Sequence, residues 1–276
     1  MEAIGHHLPQ SDPRSPLISN VAGGVLALAA YALLVRLGED RRPDELRLRY
    51  AAPELGAGAA IGATMFATVM MIMAISDLYR ITWHGAAPAW RAGGLAIQAA
   101  LVEEVLVRGV ILRLLWRAFG PLAAFVISAA IFGAAHLANA GGTVIAALCV
   151  ALEAGVMLGA FYALTGRLWT SIGVHAAWNF AQGYLFGAAV SGGNIGPALA
   201  SSTARAGAAT WLTGGAFGPE ASPAALLVCG IVGAATMYLA WRKGSFSREV
   251  DPILLTADAT GHSGASAGRM SFPSGE

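Results

Sequence analysis

Seven long apolar runs divide this 276-residue chain, at about residues 17–37, 55–76, 94–118, 121–138, 143–165, 168–190 and 224–242. A bilayer core of about 30 Å is crossed by about 20 helical residues. A backbone in lipid must satisfy its own hydrogen bonds, which leaves helices or closed barrels. Runs of this length predict an all-α fold, a polytopic bundle of about seven transmembrane helices. The composition agrees: 56% of residues are hydrophobic and 12% charged, against about 25% charged in soluble domains. Net charge is +1, so there is no basic field to hold a nucleic acid.

The intervals between runs carry their own signals. Residues 1–16 read as a polar tail, and His6 and His7 on it as solvated side chains. Residues 17–93 read as N-terminal transmembrane helices and loops. Trp83 and Trp90 sit in the connector before the third run, where tryptophan suits a membrane–water boundary. Gly120-Pro121 ends one helix and opens the next. Residues 191–243 read as a flexible connector, 191–223, followed by the last span, and 244–276 as a disordered tail. Cys149 and Cys229 are isolated in apolar runs and read as inert buried thiols. Lysine and arginine gather on one side of the spans: the 36–53 segment, Arg113, Arg117, Arg167, Arg242, Lys243, Arg248 and Arg269. That bias predicts a cytoplasmic C-terminus.

Charge inside these runs is costly, about 2.5–3.5 kcal/mol for one group near mid-bilayer. Yet the third run holds Glu103, Glu104 and Arg108 within six residues. Glu104 and Arg108 are four apart on a helix and share a face, so they read as an ion pair. Glu103 is turned about 100° away and lacks that cation. It reads as the free carboxylate, suited to general base work. Phe132 and His136 are also four apart, as are His175 and Asn179, so each pair projects from one face. Glu153 and Gln182 complete the polar set, and Glu153 reads as structural or lumen-facing.

EEVLVR at 103–108, FGAAH at 132–136 and HAAWN at 175–179 resemble the EExxxR, FxxxH and HxxxN motifs of the CAAX-protease and bacteriocin-processing (CPBP, Abi) family. That family includes the Rce1-type prenyl-protein endopeptidases. GGAFGPEASP at 214–223 resembles a segment that follows the core in bacterial members. The resemblance marks residues 94–190 as a catalytic membrane core. It implies that Glu103 and His136 hold and activate water and that His175 and Asn179 stabilise the oxyanion. Glu104, Arg108 and Phe132 would support them.

The implied activity is intramembrane endopeptidase cleavage of a membrane-associated, CAAX-type prenylated or peptide substrate. The implied location is the bacterial inner membrane. Glu103, His136 and His175 are a set that zinc could use, but HExxH is absent and no obligatory cofactor is expected. Two other functions compete. A non-catalytic protein of this fold would act as a scaffold or in self-immunity. A transporter would use Glu103, Glu104 and Glu153 as a cation path, although no inverted repeat supports it.

Overall fold

The computed structural model describes residues 12–246. His6, His7 and most of the expected C-terminal tail lie outside that range. Helix α1 spans Ser15–Gly38 and α2 spans Ala51–Ile75, followed by strand β1, Tyr79–Trp83. Helix α3, Trp90–Glu104, runs through a π-helical stretch, Val105–Leu112, into α4, Arg113–Phe119. Gly120 breaks the column with φ +81°, and α5, Pro121–Ala135, starts at the proline. Helix α6, Val144–Val150, passes through a second π stretch, Ala151–Leu158, into α7, Gly159–Thr165. Helix α8, Trp169–Phe180, ends in a third π stretch, Ala181–Leu185. Strand β2, Ala200–Ala204, the short helix α9, Thr210–Thr213, and α10, Pro223–Arg242, complete the order.

The seven expected runs therefore appear as seven helical columns. Five segments are long and apolar enough to cross a membrane: Ser15–Gly38, Asp44–Ile75, Pro121–Ala138, Val144–Thr165 and Pro223–Arg242. The other two columns, 90–119 and 169–185, hold most of the motif residues. Large apolar side chains point outward from the bundle, such as Leu34 at 70% and Leu122 at 80% exposure. In water such a surface would aggregate, whereas in lipid it costs nothing. The chain is an integral membrane protein with a helical core.

Polar contacts sort to the two ends of the bundle. At one end Arg113 and Arg117 bind Glu39, Arg167 binds Glu54, and Lys243 Nζ donates to the Leu164 carbonyl oxygen. These are basic residues that the sequence places on one side. At the other end β1 and β2 pair antiparallel, from Tyr79 opposite Ala204 to Trp83 opposite Ala200. The residues of β1, YRITW, are aromatic and β-branched at alternate positions, which suits a small pleated sheet.

The connector 191–223 departs from the expected flexible linker. It carries β2, α9 and a 3₁₀ turn at Pro219–Ala221, and its Phe217, Pro219, Glu220 and Ala221 are buried. Backbone pairing explains this order. The β2 groups bond to β1, and the Gly192 N–H donates to the Phe217 carbonyl oxygen at 2.7 Å. Glycine and alanine in such a segment signal close backbone approach here rather than freedom.

Small residues also decide where α8 lies. Helices α2 and α8 pack along their length. A Cβ on Gly62 would overlap the Val174 carbonyl oxygen, and one on Gly173 would meet the Leu55 carbonyl oxygen at 2.6 Å. Only glycine allows this approach, as at other membrane helix crossings. The column that carries His175 and Asn179 is thereby locked onto α2.

Candidate active site

Glu103 and Glu104 end α3, where the chain enters its first π stretch. Adjacent residues on a helix diverge by about 100°, and the two side chains part accordingly. Glu104 is fully buried, while Glu103 retains 35% side-chain exposure. Glu104 Oε1 accepts from Arg108 Nη1 at 2.8 Å and from His175 Nδ1 at 2.9 Å. The first contact is the expected i,i+4 pair. The second joins α3 to α8 and was not legible from spacing.

Arg108 is buried, with both Nη atoms bonded inside the protein and Nε without a hydrogen-bond partner among the described residues. Besides Glu104 it donates to the carbonyl oxygens of Ala154 and Gly155, the latter at 3.3 Å. Both lie in the second π stretch. Such a stretch departs from the i→i+4 ladder and is frequent at functional sites. Here it presents carbonyl groups to the guanidinium. The guanidinium also sits 5.1 Å from the Phe132 ring centroid, a cation–π distance. One arginine thus clamps three elements around the site.

Phe132 has a second contact, with the His136 ring at 4.7 Å between centroids. His136 Nδ1 lies 2.8 Å from the Phe132 carbonyl oxygen. A carbonyl only accepts, so Nδ1 carries the proton and Nε2 is left with its lone pair. On His175 the bond from Nδ1 to Glu104 orients the ring. Its Nε2 then faces Glu103 Oε2 at 3.7 Å. That gap exceeds a hydrogen bond, and a bridging water is the usual way such a gap is closed.

Phe132, His136, His175 and Asn179 line one cavity of about 50 Å³. This volume holds water molecules but no peptide. The two histidines face the same space. Glu103 is not among the lining residues and meets the site through His175. Glu153, Ser191, Glu220 and Cys229 also line the cavity. The sequence reads Glu153 as structural or lumen-facing and Glu220 as part of a linker. The GGAFGPEASP segment, quoted for its resemblance, was the signal that pointed to Glu220.

Glu220 is held from several sides. Its Oε1 accepts from the Ser191 N–H at 2.6 Å, and the polar side chains of Gln182 and Trp178 lie near enough to pull its carboxyl down. Burial pushes its carboxyl up to about 7, against the pull of these donors. Gln182 in turn accepts from Trp178 Nε1 at 2.9 Å and donates to the Ala189 carbonyl oxygen at 2.5 Å. The connector is thus tied to α8 next to Asn179.

Among the described residues, no group of three or more His, Cys, Asp or Glu side chains is placed to hold a metal ion. His136 turns one ring nitrogen to its own helix, and His175 turns one to Glu104.

A family model described as Type II CAAX prenyl endopeptidase Rce1-like matches residues 85–181. No curated protein and no solved structure matches the chain. The matched stretch includes all three motifs and both histidines of the cavity. Over residues 85–181 the chain is similar to that Rce1-like family, consistent with the resemblance of its motifs to the CPBP family.

Proposed function

We propose that this protein is an intramembrane endopeptidase that hydrolyses a peptide bond by glutamate-activated water. The observation that carries the reading is the convergence of His136, His175 and Asn179 on one water-sized cavity, with Glu103 3.7 Å from His175 Nε2. In the reaction Glu103 takes a proton from water while the His136 Nε2 lone pair orients it. The water oxygen bonds to the peptide carbonyl carbon. His175 Nε2–H and the Asn179 side-chain amide donate to the oxyanion. Glu103 then passes its proton to the amine as the C–N bond breaks, leaving a carboxylate and a free amine.

Charge bookkeeping supports a doubly protonated His175 in this role. Glu103 and Glu104 are two negative charges, and Arg108 is one positive charge; an imidazolium makes the group neutral. Preorganised donors of this kind are worth about 2.7–4 kcal/mol each in the transition state. No zinc step is needed, because the base and the donors are all side chains of this chain.

The substrate would be a membrane-anchored protein or peptide, CAAX-type and prenylated in the sense the family description gives. The cavity is too small for a peptide, so the scissile bond approaches from the side where Glu103 is exposed. Lysine and arginine placement supports a cytoplasmic side for the 36–53 segment and the C-terminus, in a bacterial inner membrane.

Glu103→Ala tests the reading in reconstituted membranes, with a prenylated CAAX peptide as probe. The expected result is loss of cleavage by a factor of about 10²–10⁴, the span usual for a general base, at unchanged accumulation. Wild-type cleavage by that variant would overturn it. Retained cellular function in a Glu103→Ala/His136→Ala double variant would replace it with the scaffold or self-immunity role.

A further inference from the structure

The peptidase reading leaves two carboxylates of the same cavity without a task. Glu153 is 95% buried, at 5% exposure, and lies in the second π stretch. Its Oε1 has no hydrogen-bond partner among the described residues. Glu220 comes from the connector on another wall. The lining residues include no lysine or arginine. Both Nη atoms of Arg108 are already committed, to Glu104 and to two carbonyl groups, and Arg108 is not among the lining residues. A buried carboxylate without a donor is costly, and proteins resolve that cost by pairing or by protonation.

The three π stretches point the same way. One begins directly after Glu104, one contains Glu153, and one begins directly after Phe180 and contains Gln182. The first and third adjoin groups given a role above. The second places Glu153 in the same structural company.

We propose that the Glu153–Glu220 end of the cavity binds a primary ammonium group. This rests on the peptidase reading only for the source of the ligand, which is a substrate lysine side chain or the newly released amino terminus. An ammonium is compact, carries three donors and fits about 50 Å³. It gives the Glu153 Oε1 a donor and shares its charge with Glu220. Quaternary ammonium lacks the N–H groups. A bare metal ion finds no group of three suitable ligands among the described residues. Near neutral pH an entering cation displaces a proton from Glu220 at little cost, since that carboxyl titrates near 7.

Thermal melting of the full-length protein in detergent tests this, with methylammonium chloride as the probe. Sodium chloride and tetramethylammonium chloride at equal ionic strength are the controls. Methylammonium should raise Tm saturably in the wild type, and the controls should not. Glu153→Gln and Glu220→Gln should lose the response, and Glu103→Ala should keep it. An equal rise with sodium or tetramethylammonium in the wild type overturns the proposal, whether or not the glutamine variants fold. So does a folded Glu153→Gln protein with the wild-type response.

Peptide cleavage separates the two sources. A higher KM for an acetyl-lysine peptide than for its lysine counterpart assigns the site to the side chain. Equal KM with competitive inhibition by the amine product assigns it to the new terminus. Equal KM without such inhibition overturns the substrate assignment. A protein that binds methylammonium but cleaves nothing keeps the ammonium site and loses the peptidase reading.

Discussion

His175 donates from Nδ1 to Glu104 Oε1 at 2.9 Å, and the two residues are 71 positions apart in the chain. The same oxygen accepts from Arg108 at 2.8 Å. Glu104 therefore does more than neutralise an arginine. It fixes the ring of His175 so that Nε2 faces Glu103, and it links the column of α3 to that of α8.

Loss of Arg108 should be felt mainly as loss of stability. Arg108→Ala strips the cation from a fully buried carboxylate, and breaking such a pair costs about 3–5 kcal/mol. Arg108→Lys should not restore it, because an ammonium lacks the planar fork that reaches Glu104 and two carbonyls together. Unfolding in mixed detergent with increasing SDS measures both variants. A wild-type midpoint for Arg108→Lys would show that the fork is dispensable.

Asn179→Ala should separate activity from stability. The side chain lines the cavity and is only partly buried. Removing one oxyanion donor lowers kcat by about 10²–10³, while Tm and KM should hold. A fall in Tm with unchanged kcat would place Asn179 in the packing instead.

Gly62→Ala should damage both properties. The added Cβ would overlap the Val174 carbonyl oxygen, one residue before His175. Overpacking of this kind costs about 1–3 kcal/mol, and displacement of α8 moves the site. Gly56→Ala is the control on the same helix, since a Cβ there meets nothing within 4 Å. It should be neutral or slightly stabilising by helix propensity. Equal melting curves for the two variants would refute the close-packing account.

Stability at the basic end should depend on acid. The Arg113 guanidinium, bonded to Glu39 just beyond α1, holds its carboxyl down at about 2, from an ordinary value of 4.5, with help from Arg41. A depressed carboxyl stabilises the fold above its unfolded value and loses that contribution as pH falls through its folded value. The wild type should therefore lose Tm between about pH 4.5 and 2. Glu39→Gln should flatten that part of the curve; an unchanged slope would assign the acid sensitivity to other carboxyls.

Chelation should leave cleavage intact. Among the described residues no group of three or more His, Cys, Asp or Glu side chains is placed to hold a metal ion, and the base and donors of the proposed reaction are side chains. Treatment with 1,10-phenanthroline should preserve the rate. A loss restored by added zinc would make the metal part of the machinery.

Apolar run lengths determined by themselves that this chain builds a helical membrane bundle, because a lipid-facing backbone has almost no other solution. Helical spacing also separated Glu103 from Glu104, since one residue of rotation is about 100° in any helix. The breaks at Gly120 and Pro121 were equally local and equally legible. Three things were decided only by tertiary structure. His175 binds Glu104 across 71 residues, a contact that no local period encodes. The connector orders itself through backbone pairing with β1 and seats Glu220 in the cavity, although its composition reads as a linker. Glu153 becomes a cavity residue because of where α5, α8 and α10 pack around its helix. Local rules fix which way a side chain leaves its own helix; what it meets there depends on contacts between distant segments.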